Sequence, residues 1–418
     1  MRTTAARQAS LREHNLGLVL GHVVDAVTRG RTPSRADVAA ATGLTRATVS
    51  ALVDRLVAGG LLAELDPVQT QRAGRPAVPL TMPARTVAAL GAEINVDYLG
   101  ARVVDLSGDV VAERVDAGDF RASDPREVLA RWAALAEAVL AEAGASDTGT
   151  SDVGTTSGAG PTRIAGAALA LPGIVDRGTG PLRTAPNLGW RDVDVLALLA
   201  DLSPTLSPTL AAHPPRLANE ADLAARAESA ARTAGADERP SFVYVSGEIG
   251  IGAAVVVDGR IFGGLRGWAG ELGQTLVGDR RLEEVAGQDA MLRAAGLEPS
   301  GGMAALGTAA RAGDERAAAA VCDAGTLLGT ALANTVNLVD VSHVVLGGAF
   351  AAVADLVAAP VLAALERHVL AAPWAPPSVD AAVAGELPAM TGAALAVLAD
   401  VVADPAAWLA DDAPRVSG

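Results

Sequence analysis

Residues 33–62 read PSRADVAAATGLTRATVSALVDRLVAGGLL, and their order of polar and apolar residues decides how the front of the chain folds. Ser34 followed three residues later by Asp37 resembles a capping box, with Asp in place of the usual Glu; hydroxyl and carboxylate together satisfy free N–H groups at a helix start. That helix is expected to run to about Thr42 and to end at Gly43. Thr45 caps the next one. Within it Val49, Leu52, Val53 and Leu56 fall on one face at helical spacing, and Arg46, Ala47, Ser50 and Asp54 on the other. Two short helices joined by a glycine turn describe a helix-turn-helix, whose second helix enters a major groove.

The flanks extend the motif. Upstream, NLGLVLGHVVDAV (15–27) has Leu16, Leu20, Val23, Val24 and Val27 at helical spacing and stops at Gly30. Downstream, LLAELDPVQTQRAGRPAVPLTM reads as two short strands around a turn with Arg72 and Arg75 at its tip, a wing. The candidate DNA contacts are Arg35, Thr45, Arg46, Thr48, Ser50, Arg72 and Arg75. Arg46 is placed for a bidentate contact to guanine, and the hydroxyls orient the helix. Charge supports this: residues 1–80 carry ten Arg against six acidic residues, while the whole chain has a net charge of −15. A basic head sits on an acidic body.

With 418 residues, half of them hydrophobic, the chain exceeds one core and can fill two or three domains. It has no lysine, and aromatics are 3%. Cys322 stands alone in a helical run, which predicts a small buried residue and leaves neither a disulfide framework nor a zinc cluster. The first residues, MRTTAARQAS, hold no apolar stretch for a signal peptide, and no uninterrupted apolar run reaches membrane-spanning length. A soluble cytoplasmic protein is expected.

From Val87 the pattern changes. TVAALGAEINVDYLGARVVDLSGDVVAER predicts three strands, backed by the helix DPREVLARWAALAEAVLAEAG. Residues 146–163, SDTGTSDVGTTSGAGPTR, are low in complexity and read as a disordered loop. IAGAALALPGIVD resumes a buried strand. SFVYVSGEIGIGAAVVVDGRIFGG predicts a hairpin, and HVVLGGAFAAVADLVAAPVLAALE a strand, glycine turn and helix. The bare backbone of Gly247, Gly250 and Gly252 suits either a tight turn or a phosphate cradle.

GRPAVPL, LPGIVD, APNLGW, LANEADLAA, GEIGIGAAVVVDG, GWAGELGQ and VVLGGAF, in that order, resemble the ROK family of repressors, open reading frames and kinases over nearly the whole chain. The resemblance implies an α/β fold: a winged helix-turn-helix (1–82), then a two-lobed actin-like, ribonuclease-H-like body with lobes at 83–195 and 196–385 and a C-terminal helix (386–410) returning to the first lobe. It also implies either sugar phosphorylation by ATP or, with a DNA-binding head, sugar-responsive transcription control.

Departures from the family's kinases choose between these. Their Asp-x-Gly-Gly-Thr phosphate loop aligns with Glu93-Ile94-Asn95-Val96-Asp97, where both glycines are gone and Asp97 is expected to repel a phosphate; Glu248 stands in the second phosphate loop. ATP binding reads as lost. The sugar side reads as kept: the resemblance assigns ligand contacts to Asn187, Asn219, Glu220, Glu271, Gln274 and Glu283. Gln274 replaces the family's zinc-binding His, and Val277–Arg281 replace its Cys-rich loop, so no metal and no cofactor are expected. Plainer readings stand beside these. Glu271 and Glu283 could be ion-paired or solvated carboxylates, Asn219 a helix cap, and Gly250, Gly252 and Gly347-Gly348 structural turns.

The resulting expectation is a non-enzymatic repressor that binds double-stranded DNA at a pseudo-palindromic operator and a sugar or sugar derivative in the cleft, as a homodimer or homotetramer, away from membranes. The alternatives are a sugar kinase with an accessory DNA-binding head, or a DNA-binding protein with an inert cleft.

Overall fold

A computed structural model describes residues 2–67, 77–145, 162–176, 180–202, 208–247 and 250–411. The wing tip with Arg72 and Arg75, most of the 146–163 loop, and Glu248 lie outside the described residues.

The head is α1 (Arg2–Thr28), α2 (Arg35–Thr42), α3 (Arg46–Ala58) and the strands β1 (Ala63–Glu64) and β2 (Leu80–Thr81), which pair antiparallel. The capping box forms: Ser34 Oγ accepts from the Asp37 N–H, and the Ser34 N–H donates to the Asp37 carboxylate at 2.9 Å. Gly43, with φ of 71°, ends α2 in the left-handed region that favours glycine. Thr45 caps α3 by accepting from the Thr48 N–H, and Val49, Leu52, Val53 and Leu56 are buried. α1 begins near the chain start, well before residue 15.

Two five-stranded sheets follow the head. The first contains β3 (Val87–Ile94), β4 (Tyr98–Asp105), β5 (Val110–Ala117), β6 (Arg163–Leu171) and β10 (Arg216–Asn219), in the order β10-β6-β3-β4-β5. α4 (Pro125–Ala145) covers one face. Between β6 and β10 lie β7 (Ile174–Val175), β8 (Leu182–Ala185), β9 (Trp190–Val193), α5 (Val195–Leu202) and α6 (Pro208–Ala212); α7 (Glu220–Thr233) comes after β10. The second sheet contains β11 (Phe242–Gly247), β12 (Ile251–Val257), β13 (Arg260–Ile261), β16 (His343–Gly348) and β17 (Ser378–Ala381), in the order β13-β12-β11-β16-β17. In both, an antiparallel meander is extended from its first strand by parallel partners. One plan is therefore used twice. The boundary expected at 195/196 falls inside the first of these units: β10 is hydrogen-bonded to β6, so the change of sheet comes between α7 and β11.

The second sheet carries β14 (Leu276–Val277), β15 (Arg280–Arg281), α8 (Leu282–Ala286), α9 (Gln288–Ala295), α10 (Gly302–Arg311), α11 (Glu315–Val339) and α12 (Ala354–His368). Among the described residues, Ala349–His368 is long and apolar enough to cross a membrane, but its Phe350, Val353, Val357, Val361 and Leu365 are buried in this lobe's core. Cys322 corrects an expectation: it is exposed on α11. The flanking Val321, Ala324 and Leu328 take the inward stripe, leaving its position on the outer face.

Finally α13 (Pro388–Ala403) and α14 (Pro405–Asp411) return to the first sheet and the head. Leu16, Val23, Leu52 and Leu56 of the head share one core with Val87, Leu223, Val397 and Val401 of the body. Polar contacts fix the join: Arg163 donates to Gly59 O at 2.6 Å and lies over the Trp408 ring, and Thr86 Oγ1 donates to Gly60 O at 2.7 Å. The head is packed into the body rather than tethered to it.

Candidate functional site

Between the two lobes lies a cavity of about 280 Å³, and all six sequence-predicted ligand residues line it: Asn187, Asn219, Glu220, Glu271, Gln274 and Glu283. They come from distant parts of the chain, so their convergence is produced by the fold. Asn187 sits in a short 3-10 turn after β8. Asn219 ends β10 and Glu220 opens α7. Glu271 precedes and Gln274 ends a second 3-10 turn that lies tight against β12; an added Cβ at Gly270 or Gly273 would fall 2.2 Å from Ala253 O or 2.4 Å from Ile251 O. Glu283 rises from α8.

The cap reading of Asn219 is the one its geometry fits. Its Oδ1 accepts from the N–H groups of Ala221 at 2.8 Å and Asp222 at 3.3 Å, and its Nδ2 donates to Gly173 O at 2.9 Å. One amide N–H is left over by valence to face a ligand. Gly173 takes a φ of 84°, and a Cβ there would lie 2.0 Å from Thr184 O, which accounts for glycine in LPGIVD.

Gln274 Nε2 donates to Glu283 Oε1 at 2.7 Å, while Glu283 Oε2 faces Gly250. In place of a metal-binding loop, β14 and β15 close a two-residue turn at Gly278-Asp279. Burial, reinforced by the nearby Glu283 charge, pushes the Glu271 carboxyl above its ordinary value. A folded-state pKa above the unfolded one favours the fold at low pH, and that contribution is lost as pH rises from about 4.5 through the raised value. Glu271→Gln is therefore expected to raise Tm near neutral pH, with variant and parent converging toward acid; parallel Tm–pH curves would refute it.

The hairpin turn between β3 and β4 presents Asn95 and Val96 to the cavity. The Asn95 N–H donates to Tyr98 O at 2.9 Å, and Val96 is 3% exposed. Asp97 corrects an expectation: at the turn between β3 and β4 it is exposed and pairs with Arg121 at 3.6 Å, while Val96 beside it is buried. Sequence reasoning missed Thr184, Ser246 and Arg281 as lining residues. Ser246 and Arg281 had a signal, since each stands beside a named motif. Thr184 had none.

Of the candidate DNA contacts, Arg46 is exposed at the start of α3, with no ion-pair or side-chain hydrogen-bond partner among the described residues. Arg35 is engaged internally: it pairs with Asp54 at 2.6 Å and Glu64 at 3.0 Å and donates to Ser50 Oγ at 2.8 Å. It braces α2 against α3 and the wing strand. Thr45 and Thr48 share a hydroxyl contact of 2.9 Å at the helix cap.

Residues 21–66 match the IclR helix-turn-helix domain, and residues 152–400 match the ROK family. Relatives include the xylose repressors of Caldicellulosiruptor bescii, 25% identical over 64% of this chain and 59% of that protein, and of Bacillus subtilis (strain 168), 24% identical over 58% and 56%. The chain thus spans under two thirds of the length of these relatives. Among solved structures, a ROK family transcriptional regulator homologous to E. coli Mlc superposes with a TM-score of 0.72 at 22% identity, covering 94% of this chain and 97% of that one. A ROK glucokinase from Streptomyces griseus gives 0.57 at 21%, covering 74% and 98%. The glucokinase match leaves about a quarter of this chain uncovered, whereas the regulator match takes in nearly all of it. With the family matched across more than half of its length, the two-lobed chain belongs to the ROK family.

Proposed function

We propose that this chain is a DNA-binding transcriptional repressor whose interlobe cleft senses a sugar or sugar derivative and no longer transfers phosphate. The observation that carries the reading is the pairing of an exposed Arg46 on a capped, rigidly docked α3 with a cavity whose polar lining is mostly carboxylate and amide. Carboxylates accept from sugar hydroxyls, and amides both donate and accept. At about 280 Å³ the cavity is at the small end of ligand sites, in keeping with a monosaccharide. Glu220, Glu271 and Glu283 disfavour a triphosphate, and Val96 stands where the kinases' loop needs bare backbone. Xylose repressors among the relatives put pentoses in the first test panel.

Two copies of the chain would present two α3 helices to a pseudo-palindromic operator. Effector binding changes DNA affinity through differential affinity for two arrangements; a few kcal/mol suffices. The test is operator binding with and without each sugar, alongside an ADP-release assay with magnesium-ATP. A sugar that shifts operator affinity without ADP release supports the proposal; turnover of ATP with any sugar favours the kinase. Arg46→Ala is expected to weaken specific binding by about 1–3 kcal/mol and relax preference at one base position. Unchanged affinity in a gel-shift titration would remove Arg46 from the readout.

A further inference from the structure

The head is fastened at two places that belong to different parts of the body. Its base is held by the first lobe, where Thr86 and Arg163 donate to Gly60 O and Gly59 O. The end of α1 is held elsewhere. Arg29 donates to Ala236 O at 2.9 Å and also to Asp237 O, and the Gly235 N–H donates to Thr28 O at 3.4 Å. Asp25, one turn earlier on α1, accepts from Arg29 Nε at 3.1 Å and from Arg239 at 3.4 Å. The Arg29 side chain is 10% exposed, so these charge-assisted contacts are little screened.

Residues 234–241 are the segment by which the chain passes from the first sheet to the second. Their far end is held by the second lobe, since Pro240 O accepts from the Gly259 N–H, after β12, at 2.8 Å. The return crossing after β17 lies against the same helix. Glu228 of α7, fully buried, accepts from the N–H groups of Val383 at 2.9 Å and Ala384 at 2.8 Å. Arg232 donates to Glu228 at 2.6 Å and to Ala381 O at 3.0 Å. Both crossings are thus gathered beside the C-terminal half of α7, whose first turn carries Glu220 into the cleft.

We propose that the clasp of Asp25, Arg29 and Arg239 on this crossing couples the head to the angle between the lobes. A packed body held at two points on two lobes cannot keep its place when the lobes turn against each other. α1 and α3 share one buried core through Leu16, Leu20, Val49 and Leu52, so α3 follows α1. A ligand that favours one lobe arrangement therefore favours one placement of α3. None of the three clasp residues lines the cleft, so altering them leaves the ligand's contacts in place. The proposal rests on the sugar-sensing reading only for what turns the lobes.

The test uses the full chain, a duplex selected from a randomised DNA pool, and hydrogen exchange read by mass spectrometry. Binding of that duplex is expected to slow exchange across residues 234–241 and at Val383 and Ala384 at least about 3-fold, and to leave both unchanged in Arg29→Ala. No change in the parent, or the same change in the variant, overturns the proposal. This arm needs no sugar. With a sugar that shifts the parent's affinity for DNA, Arg29→Ala is expected to keep its sugar Kd within about 2-fold while its DNA response falls to within about 2-fold of none. A variant that loses stability but keeps the full response shows that the clasp merely holds the head on, and refutes coupling. If no sugar shifts DNA affinity, the sensing reading fails and the exchange arm still decides the clasp. Should Arg29→Ala fail to fold, Arg239→Ala, on a side chain 43% exposed, takes its place, and an unchanged exchange response there refutes the proposal.

Discussion

Gly392→Val is expected to destabilise the protein by about 3 kcal/mol or more, the largest effect of any single substitution considered. A Cβ at position 392 on α13 would fall 1.7 Å from Leu223 O, a backbone atom of α7. Both partners are helix backbone in the buried core, so neither can yield as a flexible side chain would. The opposite side of α13 is equally tight, since a Cβ at Gly91 on β3 would fall 1.9 Å from Met390 O. Urea unfolding checks this: the midpoint should fall with little change in slope. Even Gly392→Ala introduces the offending atom, and an alanine variant as stable as the parent would show that the helices are not in this close contact. The crossing has a place in function too. α7 bears Asn219 and Glu220 at its cleft end, and the far end of α13 meets the head, where a Cβ at Gly17 would lie 2.8 Å from Ala403 O.

Gly250→Leu should abolish the effector response and leave operator affinity intact. An added Cβ at position 250 would lie 3.2 Å from Glu283 Oε2 and 3.8 Å from Asn187 Nδ2, so a leucine projects into the space a ligand needs. The backbone there does not require glycine, because its φ is not among the positive values. The head is tied to the body far from this point, through Gly59, Gly60 and α14. Effector affinity is expected to fall at least about 100-fold, as expected when a buried apolar group displaces several hydrogen-bonding partners. Operator binding measured with and without the sugar checks both halves. A retained response would place the ligand elsewhere, and a lost operator affinity would show that the cleft and head do not separate.

Much of the site was legible because its residues sit at punctuation points. Glu271 and Asn187 stand at turns marked by glycine or proline, and Asn219 at a strand-to-helix boundary where an amide caps, and such boundaries keep their chemistry readable without coordinates. What the sequence hid was the use of each group. Asn219 has the residue type of a ligand and of a cap alike, and only the positions of the Ala221 and Asp222 N–H groups decide that it caps. Arg35 has the residue type of a DNA contact and is spent on Asp54, Glu64 and Ser50.

The head's α2 and α3, their caps and the turn between them were determined by the sequence alone, since hydrophobic period and hydroxyl caps act within a few residues. Tertiary structure decided the rest. It placed β10 beside β6 across more than forty intervening residues, and turned Asp97 outward and Cys322 to the surface. Each of these depends on which distant segments pack together. Pairing between remote strands and the side chosen by a single residue are set by burial of the whole core, which no short window of sequence contains.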